Sequence, residues 1–598
     1  MHSESTPRRP SSNRACDRCR RRKHKCDFDG TICTHCRDFG EECLFELPVA
    51  RRGPKSRRSG PGDLNSFSPP STVGFPEQSQ VEIASPLRTP AIPLLAHTWE
   101  SGSELSPQTV HGSPSNRGCL TSSLQRWVDL SNDLKPAVNL DVIARKCFDV
   151  FFEYLFPLTP IVHEPSLWRG LDFFIAREHV GTSSSISQRW TSYLRRGSVK
   201  EDTLDSASSL NYPEVSPEST FTLITAICAE AAFLLPKEIF PEGYLVADAF
   251  LHASRNCLDS YLEADLEHPN ANSIAIRYFH SNCLHAAGKP KFSWHIFGEA
   301  TRLAQIMQLH DESSNDGLLP VEAELRRRAF WIVYIGDKSA AILNSRPINI
   351  HNYSFESGIT TAYPASIEYD QSPLSPAGHQ SAPDTAQHFS FIVGFNANIR
   401  LWQAAAELLL EMRLLPDQRM RRAIAHGPVS NEEVSIISRL YIRFITCFDD
   451  LPPYLNPEHL SSPSGRQTRA KQLLIQIANL QVSYHSLRMI IAQKFDELNW
   501  LFPGVEQTDM LLLRRTEIAR DMIRVIKEAP FWSLQVNGEP CVEKIRLIGT
   551  SLLAIIHHNE TTLLSSRARS DFTVLLDVLT KLDSKASAAL MSGSSLVL

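Results

Sequence analysis

The sequence has no long apolar run. Nowhere in its 598 residues do about 18 uncharged apolar residues follow one another, the length a helix needs to cross a bilayer. No membrane span and no membrane partner are therefore expected. The opening residues, MHSESTPRRPSSNR, lack the apolar stretch of a secretory leader, so a reducing compartment is expected, where thiols stay free or bind metal. Also missing are a Gly-rich phosphate loop, a nucleophile elbow and a paired His/carboxylate motif, and with them the usual sequence support for an enzyme. No series of alternating apolar and polar residues marks a sheet. Cysteine is sparse over most of the chain, where seven of the 13 are scattered singly from Cys119 to Cys541.

What is present is a large apolar fraction, 42%, enough for a sizeable buried core. The net charge of -5 conceals an asymmetry: residues 1–60 hold 15 Lys+Arg against 8 Asp+Glu, a net of +7, and the rest carries -12. A basic head on an acidic body points to a head that meets a polyanion.

Composition divides the chain. Residues 1–15 are polar and expected to be disordered, residues 16–47 hold the remaining six cysteines, and residues 48–135 begin basic and become rich in Pro, Ser and Gly, which predicts a flexible linker. Helical periodicity follows. Ile296, Ala300, Leu303, Ala304 and Met307 share one face, as do Leu325, Ala329, Ile332 and Val333, and a third long helix begins at Arg469. The fold class expected is all-α: a small cysteine-cluster domain, a linker, and a many-helix body over 136–565 with loop insertions near 183–220 and 357–388. A tail over 566–598 mixes acidic and apolar residues and suits either a coactivator contact or a last packed helix.

The six clustered cysteines are Cys16, Cys19, Cys26, Cys33, Cys36 and Cys43, spaced C-x2-C-x6-C-x6-C-x2-C-x6-C. The spacing is an internal duplication, each member of the first trio returning 17 residues later. Two tetrahedral zinc ions need eight ligand positions. Six thiolates fill eight positions only if two of them bridge, and a twofold repeat with one bridging sulfur per copy meets that count. A disulfide knot does not suit a reducing compartment. One zinc on four cysteines would waste the repeat, and His24 and His35 do not fall in the ligand order of an eight-ligand RING module. Six thiolates on two Zn2+ leave a charge of -2 to be offset nearby. The first copy supplies it with RRRKHK between Cys19 and Cys26, whereas the second carries RDFGEE between Cys36 and Cys43. Only the first copy is fit to face phosphate.

The segments ACDRCRRRKHKCD and CTHCRDFGEECLF resemble the fungal Zn(II)2Cys6 binuclear-cluster family. The resemblance covers 16–45 and implies two Zn2+ per chain, with Cys16 and Cys33 as bridging ligands. It implies that Lys23 reads DNA bases, that Arg20, Arg22 and Lys25 meet phosphate or flank the bases, and that CGG-type triplets are read in the major groove of double-stranded DNA. The family often has a proline before the fourth cysteine; here that loop is DFDGTI, with Gly30 able to make the turn. FFEYLFPLTPIVHEPSLW, GEATRLAQIMQLH, RRRAFWIVYIGDKSAAILNSRPINI and LQVSYHSLRMIIAQKF are similar to segments of the family's middle homology region, which implies a helical regulatory domain without catalytic activity.

Other features are weighed on their chemistry. RRGPKSRR, with Arg51, Arg52, Lys55, Arg57 and Arg58, suits a nuclear signal, a phosphate-gripping arm or both. Arg326, Arg327 and Arg328 are expected to form the polar face of a helix, and Cys228, Cys283 and Cys447 to sit in the core. His280, His285 and His295 do not share a helical face. Residues 44–118 contain prolines and no heptads, so the chain binds DNA either as a monomer or as a homodimer paired through its body. The reading is a nuclear, zinc-dependent regulator of RNA polymerase II transcription, with a metabolic or secondary-metabolite gene cluster as the expected target and transcriptional coactivators and an unidentified small-molecule effector as further expected partners. The alternative is a non-DNA-binding cofactor, or a metabolite or redox sensor, with a vestigial cluster.

Overall fold

The computed structural model describes residues 16–17, 19, 26–27, 32–40, 43–44, 116–135, 137–176, 216–367, 390–421, 430–458, 468–498, 508–558 and 562–582. They fall in two compact units, 1–107 and 108–598. Among them there are helices and turns and no strand.

In the first unit, helix α1 (Thr34–Asp38) follows Cys33, whose sulfur caps it by accepting from the Cys36 N–H. The helix stops at Gly40, where φ is +66°, a left-handed conformation that glycine adopts without Cβ strain.

The second unit is all helical. Its elements are α2 (Asn116–Leu134), α3 (Leu140–Val150), α4 (Glu164–Ile175), α5 (Pro217–Leu234), α6 (Gly243–Ser260), α7 (Leu262–Glu267), α8 (Ala271–Ala286), α9 (Pro290–Ile306), α10 (Pro320–Asn344), α11 (Phe391–Arg421), α12 (Asn431–Ile445), α13 (Thr468–Glu497), α14 (Thr508–Glu528), α15 (Phe531–Val536), α16 (Gly538–His558) and α17 (Leu563–Lys581). Local chemistry sets many of the starts. Asn139 caps α3, Ser216 caps α5 ahead of Pro217, and Asn270–Ser273 and Ser430–Glu433 are reciprocal capping boxes for α8 and α12.

Two apolar cores hold the unit together. One runs from Trp127 and Leu130 through Phe151, Phe279 and Phe330 to Trp402, and the other from Leu474 through Ile518 and Ile548 to Leu579. Helix α13 serves both, sending Ile475, Leu487 and Ile491 into the first and Ile477, Val482 and Met489 into the second. Helix α5 is enclosed throughout, every residue from Pro217 to Ala232 being buried. Its threonines bond back to their own helix, Thr222 Oγ1 to Glu218 O at 2.7 Å and Thr225 Oγ1 to Phe221 O at 2.8 Å, so their hydroxyls are buried without being orphaned.

Three expectations are corrected and one choice between alternatives is made. The helical body begins at Asn116, ahead of the boundary at 136, because Trp127, Leu130 and Leu134 of α2 enter the first core. The loop expected over 183–220 ends before Pro217, where α5 starts, and its earlier part lies outside the described residues. Of the two alternatives for the tail, the packed helix is present: it begins as α17, which buries Ala568, Phe572, Leu575 and Leu579. Arg326–Arg328 are not a solvated face. Arg328 is fully buried and pairs with Glu324 at 2.9 Å, Arg326 pairs with Glu322 at 2.8 Å, and Arg327 pairs with Glu312.

The loop expected over 357–388 is irregular chain up to 367, and its remainder lies outside the described residues. That strap packs on α10, where Trp331 Nε1 donates to Ala362 O at 2.8 Å and Arg328 Nη2 to Ala365 O at 2.9 Å. Cys228 and Cys283 are buried and Cys447 is half-buried. His280 is enclosed, hydrogen-bonded to Ser254 Oγ at 2.7 Å and pushed down to about 3 by burial, and so stays neutral, while His295 stands in solvent.

Candidate metal centre

The duplication read in the sequence is present in three dimensions. The Cys16 N–H donates to Cys26 Sγ at 3.5 Å, and the Cys33 N–H donates to Cys43 Sγ at 3.2 Å. Each copy thus folds its third cysteine back onto its first. Asp17 N donates to Leu44 O at 2.8 Å and draws the two ends of the segment together. Asp27 braces the second copy by accepting from the Thr34 N–H at 3.0 Å and from the Thr34 hydroxyl. These bonds hold its carboxyl below the usual carboxylate range. The role of Asp27 was missed from the sequence; the available signal was a carboxylate directly after the third cysteine, in the loop that leads to α1.

The sulfurs converge. Cys16, Cys19, Cys26 and Cys33 form one set with ligand atoms within 4.8 Å of one another, and Cys16, Cys33, Cys36 and Cys43 form a second within the same limit. The two sets share Cys16 and Cys33, whose sulfurs lie 3.9 Å apart. Cys16 to Cys36 is 3.7 Å and Cys19 to Cys33 is 3.6 Å.

Four thiolates at about 2.3 Å from a zinc ion stand about 3.8 Å apart along each tetrahedral edge. A disulfide would bring two sulfurs to about 2.0 Å. The observed distances match the first value, and two tetrahedra sharing the Cys16–Cys33 edge account for eight ligand positions with six thiols. The residues therefore fit two zinc ions. Bound zinc supplies the cross-link that so small an apolar core cannot.

The shared sulfurs also differ electrostatically from the others. Burial opposes ionisation of Cys33, but the Cys36 N–H and the neighbouring thiols outweigh it and bring the group down to about 6. Cys16 is likewise lowered, burial being outweighed by hydrogen bonds from Cys19, Cys36 and Cys26. Burial and the adjacent thiols push Cys19 and Cys36 up.

The basic residues Arg20, Arg22, Lys23 and Lys25 lie outside the described residues, as do Arg51, Arg52, Lys55, Arg57 and Arg58.

Comparison with known proteins agrees with both parts of this architecture. The profile of the fungal Zn(2)-Cys(6) binuclear cluster domain matches residues 14–52, and that of the fungal specific transcription factor domain matches 148–441. The citrinin biosynthesis transcriptional activator of Monascus ruber is 23% identical over 372 residues, 58% of this chain and 63% of its own length. The aurofusarin cluster transcription factor of Gibberella zeae is 26% identical over 359 residues, 56% of this chain and 46% of its own. The glucose transport transcription regulator of Zygosaccharomyces rouxii is 46% identical over 55 residues, 9% of this chain and 5% of its own. The matched stretches thus span from a twentieth to about three fifths of these relatives. With the cysteine duplication, the sulfur geometry and both domain profiles in agreement, the chain belongs to the fungal Zn(2)-Cys(6) binuclear-cluster family of transcription factors, whose cluster domain carries two zinc ions.

Proposed function

We propose that this chain is a nuclear, zinc-dependent regulator of RNA polymerase II transcription. In this reading Cys16 and Cys33 bridge two zinc ions completed by Cys19, Cys26, Cys36 and Cys43. Lys23 reads CGG-type triplets in the major groove, and Arg20, Arg22 and Lys25 grip the flanking phosphates. The observation that carries it is the pair of four-sulfur sets sharing Cys16 and Cys33, with the basic run RRRKHK placed between two of their ligands. The names of two relatives, a citrinin biosynthesis activator and an aurofusarin cluster factor, support control of a secondary-metabolite gene cluster. The helical body regulates, and no enzymatic role is assigned to it.

Titration of the full chain against a CGG-containing duplex and a random duplex, at several salt concentrations, tests this reading. A lysine at guanine O6 and N7 discriminates by about 1–3 kcal/mol, so Lys23→Ala should weaken the specific complex about tenfold or more and the random one much less. Arg20→Ala should weaken both alike and lower the salt slope by about one unit. Equal losses on both duplexes for Lys23→Ala would move base reading to another side chain, Arg22 first. Absence of any DNA binding by the wild-type chain would favour the cofactor reading.

Nuclear address is assigned to the two basic runs together. Neutralising Arg51, Arg52, Lys55, Arg57 and Arg58 should leave partial import, because Arg20–Lys25 is a second basic run. Neutralising both should leave a fluorescent fusion in the cytoplasm. Undiminished nuclear accumulation of the double variant would remove the signal from these segments.

A further inference from the structure

The helical unit encloses a cavity of about 520 Å3, lined from α8, α9, α10, α11 and α16. That volume is in the range of small-molecule sites. Trp294, Phe297, Ile332, Ile335 and Trp402 supply apolar wall, and exposed Ala286, Pro290, Asn344 and Pro540 stand at the rim.

Two polar groups in this lining lack the partner that burial demands. Lys544 is 6% exposed. Its Nζ donates to Ser483 Oγ at 2.8 Å and lies 5.6 Å from the centroid of the Trp402 ring. Among the described residues no carboxylate pairs with it. Asn398 is 8% exposed, and its Oδ1 accepts no hydrogen bond among the described residues. A buried ammonium without a counter-charge and a buried carbonyl without a donor are each unfavourable. Water could satisfy Asn398 but would leave the charge of Lys544 unopposed.

The two groups face a common space. Asn398 precedes Trp402 by one turn of α11, about 6 Å along the helix, and Trp402 is the ring against Lys544. The other charges leave the cavity open to an anion. Glu230 is enclosed, accepts from Asn282 Nδ2 at 2.8 Å, and is pushed up to about 8 by burial, so near neutral pH it is protonated. At the rim Glu543 is paired with Arg546 at 3.1 Å, Glu539 is half-buried, and Arg346 lies 5.5 Å from the Trp294 ring centroid.

We propose that this cavity binds a small aromatic acid bearing a hydroxyl or N–H donor, with the acid on Lys544 Nζ, the donor on Asn398 Oδ1 and the ring against the tryptophan walls. The site lies within the helical unit and does not depend on how the zinc cluster reads DNA.

Calorimetric titration of the full, zinc-loaded chain with 6-hydroxy-2-naphthoic acid and with its methyl ester tests it. The acid should bind once per chain and the ester about tenfold or more weaker, the loss of one charge-assisted hydrogen bond. Lys544→Met, which keeps the stem and removes a buried unpaired charge, should weaken the acid about tenfold and leave the ester unchanged. Asn398→Leu should weaken the hydroxy acid but not 2-naphthoic acid. Acid and ester binding the wild-type chain equally would overturn the proposal whether or not either variant folds. So would acid binding untouched by Lys544→Met, or no saturable binding of the acid.

Discussion

Removing zinc from the full-length chain should abolish its DNA binding and unfold residues 16–44 while leaving the helical unit folded. Among its described residues the segment has no apolar core beyond its cysteines, with Ile32 packed alongside. Structural zinc contributes about 10–16 kcal/mol in small domains of this kind, far more than the few capping hydrogen bonds can supply. The cysteines should not be equivalent. Cys16 and Cys33 belong to both four-sulfur sets, whereas Cys26 and Cys43 belong to one each. Metal analysis should find two zinc ions per wild-type chain, about one in Cys43→Ala and close to none in Cys16→Ala or Cys33→Ala. One zinc per wild-type chain together with full DNA binding would sink the bridged arrangement. Acid acts in the same direction as a chelator, because protons compete for the thiolates and zinc affinity falls as pH falls.

Asp337→Ala should destabilise the helical unit by about 3–5 kcal/mol, the cost of stranding a buried charge. Asp337 is fully buried on α10 and accepts from Asn349 N at 2.9 Å, Asn349 Nδ2 at 3.0 Å, Ile350 N at 3.1 Å and Lys338 Nζ at 3.0 Å. It thereby clamps the chain after α10 back onto the helix. Its removal orphans two backbone N–H groups and leaves Lys338, 1% exposed, without its counter-charge. Asp337→Asn should cost less, and adding Lys338→Met should recover much of the loss in Asp337→Ala. Burial already holds the Lys338 ammonium below its ordinary value, and losing Asp337 lowers it further. A folded pKa below the unfolded one means that the unfolded chain binds more protons, so stability rises with pH. The Asp337→Ala variant should therefore regain stability more steeply than wild type as the pH rises toward the ordinary lysine value, about 10.4. Thermal or urea melts of the three variants measure this, and a loss under about 1 kcal/mol for Asp337→Ala would show that the clamp is not needed.

The cluster was legible because its information is local and discrete. The 17-residue repeat and the contrast between RRRKHK and RDFGEE need no tertiary structure, and the ligand count alone demanded two bridging sulfurs. Helix α9, with Ile296, Ala300 and Leu303 on one face, was legible for the same reason: a 3.6-residue period is written into a single segment. Helix α5 was partly misread because enclosure on every side erases that period, and its start looked like loop. Helix α2 was assigned to linker because its three core residues, Trp127, Leu130 and Leu134, are too few to mark a face beside a Pro- and Ser-rich stretch. Arg328 reads as surface in any one-dimensional pattern. Only the arrival of Glu324, Pro160 and Ala365, the last two from elsewhere in the chain, makes its burial tolerable. Glu230 stands in an apolar stretch of α5 and Lys544 between Glu543 and Arg546 on α16, and neither setting in the sequence says what the side chain faces. The sequence by itself thus determined the metal, the ligand set and the helical class, all of which follow from spacing along one segment. The shared Cys16–Cys33 edge, the extent of the body, the buried ion pairs and the cavity between Asn398 and Lys544 were decided by tertiary structure, because each depends on which distant segments meet.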